Sequence, residues 1–178
     1  GLVENPVPAN NHFEDFYELG IKNLWTYYCV SQRDKVPNRF IYYPSYRARI
    51  MGLLLYKYDL EGFLHWGYNF WYSQYSIKQI DPFRVTDSGL AFPAGDPFLV
   101  YPGPDGPFDS IRHEVCFDAV QDLRALRALE NVIGREKTLD IIERDGILSM
   151  TEYPRSSEWL LETRERINQL LAENIAKE

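Results

Sequence analysis

Between Gly62 and Trp71 the chain reads Gly-Phe-Leu-His-Trp-Gly-Tyr-Asn-Phe-Trp, a short apolar run that breaks at Gly67 into an aromatic, polar loop. Trp66, Tyr68, Asn69 and Trp71 set indole and phenol rings beside one amide. Side chains of this kind suit a sugar, because aromatic faces stack on the flat C–H faces of a pyranose while amides and hydroxyls bond its rim. The same residues also fit a Trp-rich core strand followed by an interface loop.

Other chemistries find less support. Cys29 and Cys116 form no CxxC and stand in no Cys/His cluster, so they read as two buried thiols and no metal or cofactor is called for. His65 alternates away from Trp66 and reads as a core or supporting histidine, while His12 and His113 read as incidental. Glu14-Asp15 lies in a short helical stretch with no apolar strand before it, and Glu114, Asp118 and Asp122 recur at helical spacing as a structural network.

The net charge of −7, without any basic stripe, excludes a nucleic-acid surface. No apolar run is long enough to span a bilayer, so no membrane partner is expected. At 178 residues the chain suits one domain but falls short of a complete eight-stranded α/β barrel, which takes roughly 250. It opens on Gly1 rather than Met and reads as a piece of a longer protein, cytoplasmic or secreted. Aromatic residues make up 15 % of it, an excess that must fill either a core or a groove.

These residues need elements to position them. Residues 1–22 form a lead-in, extended up to His12, with a short helix over Phe13–Leu19 stopped by Gly20. Leu24–Val30 is β-branched and aromatic and predicts a strand. Ile50, Leu53, Leu54 and Tyr58 recur at helical spacing behind Pro44, and a second strand follows over Phe63–Gly67. Strand, helix, strand within this length is the βαβ unit of a parallel sheet. Residues 72–108 are too rich in Pro and Gly for long elements and leave room for one short strand, Phe98–Tyr101. Ser110 caps a long helix with Ile111, Val115, Ala119, Leu126, Leu129 and Ile133 inward and Gly134 as its stop. Further helices follow over Glu136–Arg144 and, capped by Ser156 or Ser157, to about Ala176.

Taken in order, LWTYYC, PSYRARIMGLLLYKYDLEGFLHWGYNFW, DPF and GDPFLVYPGPDGPFDSIRHEVCFDAVQDLRAL resemble the C-terminal part of the glycoside hydrolase family 123 catalytic domain, over roughly residues 20–135. The resemblance implies an α/β fold, the C-terminal part of a TIM-type (β/α) barrel with parallel strands and crossover helices, followed by a helical C-terminal region. Residues 1–178 are then one domain, a fragment of a larger barrel in three parts: 1–22 lead-in, 23–109 barrel strands and aromatic loop, 110–178 helical region. It also implies hydrolysis of β-linked N-acetylhexosaminides, in which the sugar's own acetamido oxygen attacks the anomeric carbon while an Asp orients the acetamide and the adjacent Glu protonates the leaving group. No strand-end Asp-Glu pair matches that motif here, so the fragment is expected to be inactive alone, with no catalytic residue of its own. A non-catalytic carbohydrate-binding or assembly module is the alternative.

Carried over residue by residue, the resemblance makes Tyr27, Tyr28, Trp66, Tyr68, Asn69 and Trp71 substrate-facing at the C-terminal ends of the strands. Asp96 and Tyr101 belong to the GD-x-x-L-x-YPG loop that folds back over the site, and Arg112 with Glu114, from S-I-R-x-E, form a clamp holding that loop. The chain departs from the family where Gly95-Asp96-Pro97 replaces GDG and where FDAVQDLRAL replaces RDGIEDYEYL. A partial barrel leaves an open sheet edge, through which a homo-oligomer is expected.

Overall fold

The computed structural model describes residues 3–175. Short elements come first: helix α1 (Phe13–Glu18), strand β1 (Trp25–Tyr27), helices α2 (Tyr46–Arg49) and α3 (Met51–Lys57), and strand β2 (Gly62–Leu64). A long irregular segment separates them from three helices, α4 (Ile111–Ile133), α5 (Arg135–Ile142) and α6 (Ser157–Ile175). β1 and β2 pair in parallel, Thr26 opposite Phe63, and α2 with α3 forms the crossover between them. The fold is therefore mixed helix and strand, a two-stranded parallel sheet with a helical C-terminal region.

The crossover starts where Pro44 and Ser45 offer carbonyls to the N–H groups of Arg47 and Ala48. Its two helices follow one path, because Ile50 keeps helical angles and accepts from both Leu53 and Leu54, a local tightening rather than a break. Ile50, Met51, Leu53, Leu54 and Tyr56 turn inward and join Leu126, Leu129, Ile142, Leu160 and Ile167 in one core. Gly52 faces the backbone carbonyl of Ala119 on α4 so closely that a Cβ there would collide with it, which lets the two helices approach backbone to backbone. A carboxylate ties the helices together: Asp122 on α4, 1 % exposed, accepts from Arg49 Nε at 2.7 Å and from Arg164 Nη1 of α6 at 2.8 Å.

Several sequence expectations change. The first strand keeps only Trp25–Tyr27, because the chain turns beyond Tyr28 and the Cys29 N–H donates to the Gln32 side chain instead of a ladder. The second keeps Gly62–Leu64. Phe98–Tyr101 is not a strand: single antiparallel bridges, Asn69 to Phe98 and Tyr101 to Phe108, replace a ladder that the flanking prolines could not complete. Ile111 is 75 % exposed, since the first turn of α4 runs past the helices that cover its later turns. The lead-in is partly ordered into the sheet, with Ala9 bridging Tyr27 in parallel and Pro8 accepting from the Thr26 hydroxyl at 2.9 Å. The last helix is capped by Ser156, whose hydroxyl accepts from the Trp159 N–H.

Candidate functional site

Beyond the C-terminal ends of β1 and β2 the chain builds a polar cluster around one buried carboxylate. Asp96 is fully buried, and each of its oxygens accepts a hydrogen bond: Oδ2 from Trp66 Nε1 at 2.8 Å, Oδ1 from His65 Nε2 at 3.2 Å. Trp66 is 40 % exposed, so its indole is a surface plate whose polar edge is anchored underneath. Phe70 and Phe92 meet that ring at centroid distances of 5.2 and 5.0 Å, and the His65 ring lies nearly parallel to it at 6.3 Å.

The network assigns the histidine's tautomer. His65 Nδ1 faces two donors, Arg39 Nη2 at 2.7 Å and the Gly67 N–H at 3.0 Å, so it accepts, and the ring proton resides on Nε2 toward Asp96. Burial pushes the imidazole below its ordinary pKa, outweighing Asp96, and the neighbouring Arg39 charge acts in the same direction as burial. The imidazole is therefore neutral at neutral pH.

Two arginines hold the backbone around this cluster. Arg39, 5 % exposed, donates through Nη2 to the Gly67 and Asp96 carbonyls as well as to His65. Arg112, in the first turn of α4, donates to the carbonyls of Gly95 at 2.6 Å and Phe98 at 2.9 Å. The two flanking loops cross where Gly67 lies, since a Cβ there would come within 2.6 Å of the Pro97 carbonyl oxygen.

The expected site residues divide accordingly. Trp66 and Asp96 are brought together, and Arg112 grips the loop that carries Asp96. Tyr28 is 1 % exposed and packed against Phe63 and His65, so it is a core ring rather than a substrate-facing one; burial raises its hydroxyl pKa. Tyr27 is half-buried at the end of β1, and Asn69 is exposed with no side-chain hydrogen bond among the described residues. Trp71 donates through Nε1 to the Val100 carbonyl at 3.0 Å, and Tyr101 packs between Phe83 and Phe98. Glu114 is exposed and pairs with no described side chain, so the clamp is Arg112 alone. Tyr68, 49 % exposed, approaches His113, whose Nε2 lies 3.4 Å from the Tyr68 hydroxyl and whose Nδ1 lies 2.7 Å from Asp109. His113 is thus not incidental. The ligand atoms of Asp109, His113 and Glu114 lie within 4.8 Å of one another.

Arg39 is the residue that sequence reasoning missed. Its setting, Pro37-Asn38-Arg39-Phe40 between two predicted elements, reads as ordinary loop. A charged residue followed directly by four apolar and aromatic residues, Phe40 to Tyr43, was the available signal of burial.

A parallel strand-helix-strand unit whose strand ends carry an anchored aromatic plate defines an α/β protein. The chain belongs to the family of the glycoside hydrolase 123 catalytic domain, whose model matches residues 1–129. The match takes in both strands, the whole Asp96 cluster and most of α4, and it leaves α5 and α6 outside. Among curated proteins no match is found.

Proposed function

We propose that this chain forms the sugar-holding part of a glycoside hydrolase acting on N-acetylhexosaminides, β-N-acetylgalactosaminides in particular, by the substrate-assisted route in which the acetamido group is the nucleophile. In this reading β1 and β2 are late strands of a TIM-type barrel, and their ends face the sugar. The observation that carries it is Trp66, an exposed indole fixed from below by a fully buried Asp96 within the family-matched segment. Rigid aromatic plates bind sugars well because no ring entropy is lost on stacking. Tyr68, Asn69 and Tyr27, none fully buried, supply hydroxyl and amide partners at the same end of the sheet.

The acid and the acetamide-orienting carboxylate are supplied by a segment other than the described residues, where no Asp-Glu pair ends a strand. Asp96 does not replace them, since both its oxygens are occupied and it is closed to solvent. That same lack favours the second reading, a non-catalytic carbohydrate-binding or assembly module.

Calorimetric titration with N-acetylgalactosamine and with galactose tests the proposal. Binding that depends on the acetamido group and weakens roughly tenfold in Trp66→Ala supports it. Equal response to both sugars, or none, overturns the N-acetylhexosaminide assignment. Release of chromophore from an aryl β-N-acetylgalactosaminide by this chain alone would overturn the claim that the acid lies elsewhere.

A further inference from the structure

Phe70 joins two exposed rings. Its centroid lies 5.2 Å from that of Trp66 and 5.9 Å from that of Tyr72, so the indole and the phenol stand at most two ring-steps apart. Trp66 and Tyr72 are 40 % and 43 % exposed, while Phe70 is half-buried and packs on Phe92 together with Trp66. A connected row of exposed rings marks a contact surface in a way that scattered ones do not.

Tyr72 stands on a narrow hairpin formed by residues 71–80. The Ile80 N–H donates to the Trp71 carbonyl at 3.0 Å, the Ser73 N–H donates to the Lys78 carbonyl at 2.9 Å, and Tyr72 bridges Gln79 antiparallel. The Trp71 indole anchors the base of the hairpin to the Val100 carbonyl. Neighbouring side chains of an extended ribbon point to opposite faces, so anchoring Trp71 turns Tyr72 outward.

The tip of the hairpin holds a tyrosine where the backbone disfavours one. Tyr75 and Ser76 have φ of 58° and 57°, the left-handed region that Asn and Gly enter easily and an aromatic residue rarely does. The Tyr75 ring is 83 % exposed, so no packing within the chain offsets that conformation. Residues held this way gather at ligand contacts. Gln74 and Gln79 are exposed on the same hairpin, and neither their amides nor the Tyr72 and Tyr75 hydroxyls make a side-chain hydrogen bond among the described residues. Lys78 is the hairpin's one charged residue, which favours a neutral partner over an anionic membrane or a nucleic acid.

We propose that hairpin 71–80 is a second sugar-binding element that continues the Trp66 plate, so that the ligand is an oligosaccharide with one ring on Trp66 and the following rings against Tyr72 and Tyr75. The inference rests on the sugar reading of Trp66 and extends it. Phenol faces take the C–H faces of the added rings, and the Gln74 and Gln79 amides take their hydroxyls. Stacking reads ring faces, so the hairpin asks for chain length more than for a particular linkage.

Calorimetric titration with N-acetylgalactosamine and with a trisaccharide, N-acetylgalactosamine β-linked to lactose, tests it. The chain is expected to bind the trisaccharide roughly tenfold more tightly. Tyr72→Ala removes most of that difference, and Tyr75→Gly, which suits the left-handed turn and keeps the fold, removes part of it. Both leave the affinity for N-acetylgalactosamine unchanged, whereas Trp66→Ala weakens both ligands. Tyr72→Phe, which keeps the ring, keeps the difference. Equal affinity for the two sugars, or a difference that survives in the double variant Tyr72→Ala/Tyr75→Gly, overturns the extended site and leaves the sugar reading of Trp66 standing. Binding of neither sugar overturns both.

Discussion

At the scale of single residues, the cluster around Asp96 makes stability depend on one proton. The folded-state pKa of His65 lies below its ordinary value of about 6.5 because of burial, so the unfolded chain binds that proton more readily. Stability from this residue is therefore complete above about pH 6.5 and falls as the pH drops toward the folded pKa. Protonation at Nδ1 would also aim a third donor at Arg39 and the Gly67 N–H. Urea unfolding between pH 7.5 and 5 is expected to show this acid loss in the native chain and less of it in His65→Asn, which keeps an acceptor near the Nδ1 position and does not titrate. Asp96→Asn tests the other half of the pair. An amide has one acceptor for the two donors of Trp66 and His65, so it strands one of them at a cost of about 1–3 kcal/mol and frees the indole. A lower urea midpoint together with a changed near-ultraviolet tryptophan signal is the expected result.

Elements turn on close approach, which a sequence shows poorly. Parallel strands and their crossover were legible, since Ile50, Leu53 and Leu54 keep helical spacing between a β-branched, aromatic run and a short apolar one. Helix caps at Ser110 and Ser156 were legible too, because a hydroxyl before an apolar period has few other uses. The length of the strands was not, because ladder hydrogen bonds end where a loop side chain such as Gln32 captures an N–H first. Nor was the inner face of α4 at Ile111, since periodicity states which residues share a face but not how far the partner helix extends. Gly52 makes the point testable. Alanine there would gain about 1 kcal/mol of helix propensity, yet its Cβ would strike the Ala119 carbonyl, a backbone atom that cannot swing aside. Overpacking of this kind wins, and Gly52→Ala is expected to lose about 2 kcal/mol, read as a lower urea midpoint at unchanged slope. Asp122→Ala is expected to cost about 2–3 kcal/mol, less than for a sealed ion pair, because Arg49 and Arg164 keep side-chain exposures of 15 % and 30 % and can rehydrate.

For the whole molecule the unanswered physical demand is the outer edge of β2. Tyr27 turns its N–H away from β2, so alternation turns Thr26 toward β2 and, with Thr26 opposite Phe63, leaves the backbone groups of Phe63 pointing outward. On the other side β1 is already covered, because Pro8 accepts from the Tyr27 N–H at 3.3 Å. A groove of about 330 Å³ adjoins the β2 side, lined by Gly62 and Phe63 together with Cys116, Ala119, Val120 and Leu123 of α4. Glu61 and Arg127 also border it, both exposed and unpaired among the described residues, so the groove presents one acid and one base. A two-fold axis brings such a patch against itself with opposite charges matched, and two β2 edges would meet antiparallel, Phe63 opposite Phe63 of the second copy. Pairing between copies is the expected way for this chain to satisfy the edge. Light scattering behind size-exclusion chromatography should report twice the 20.9 kDa of one chain, and Leu64→Lys, an edge charge of the kind that blocks strand addition, should return it to a single-chain mass without lowering Tm. A chain that elutes as 20.9 kDa before any substitution removes the copy as the partner of that edge.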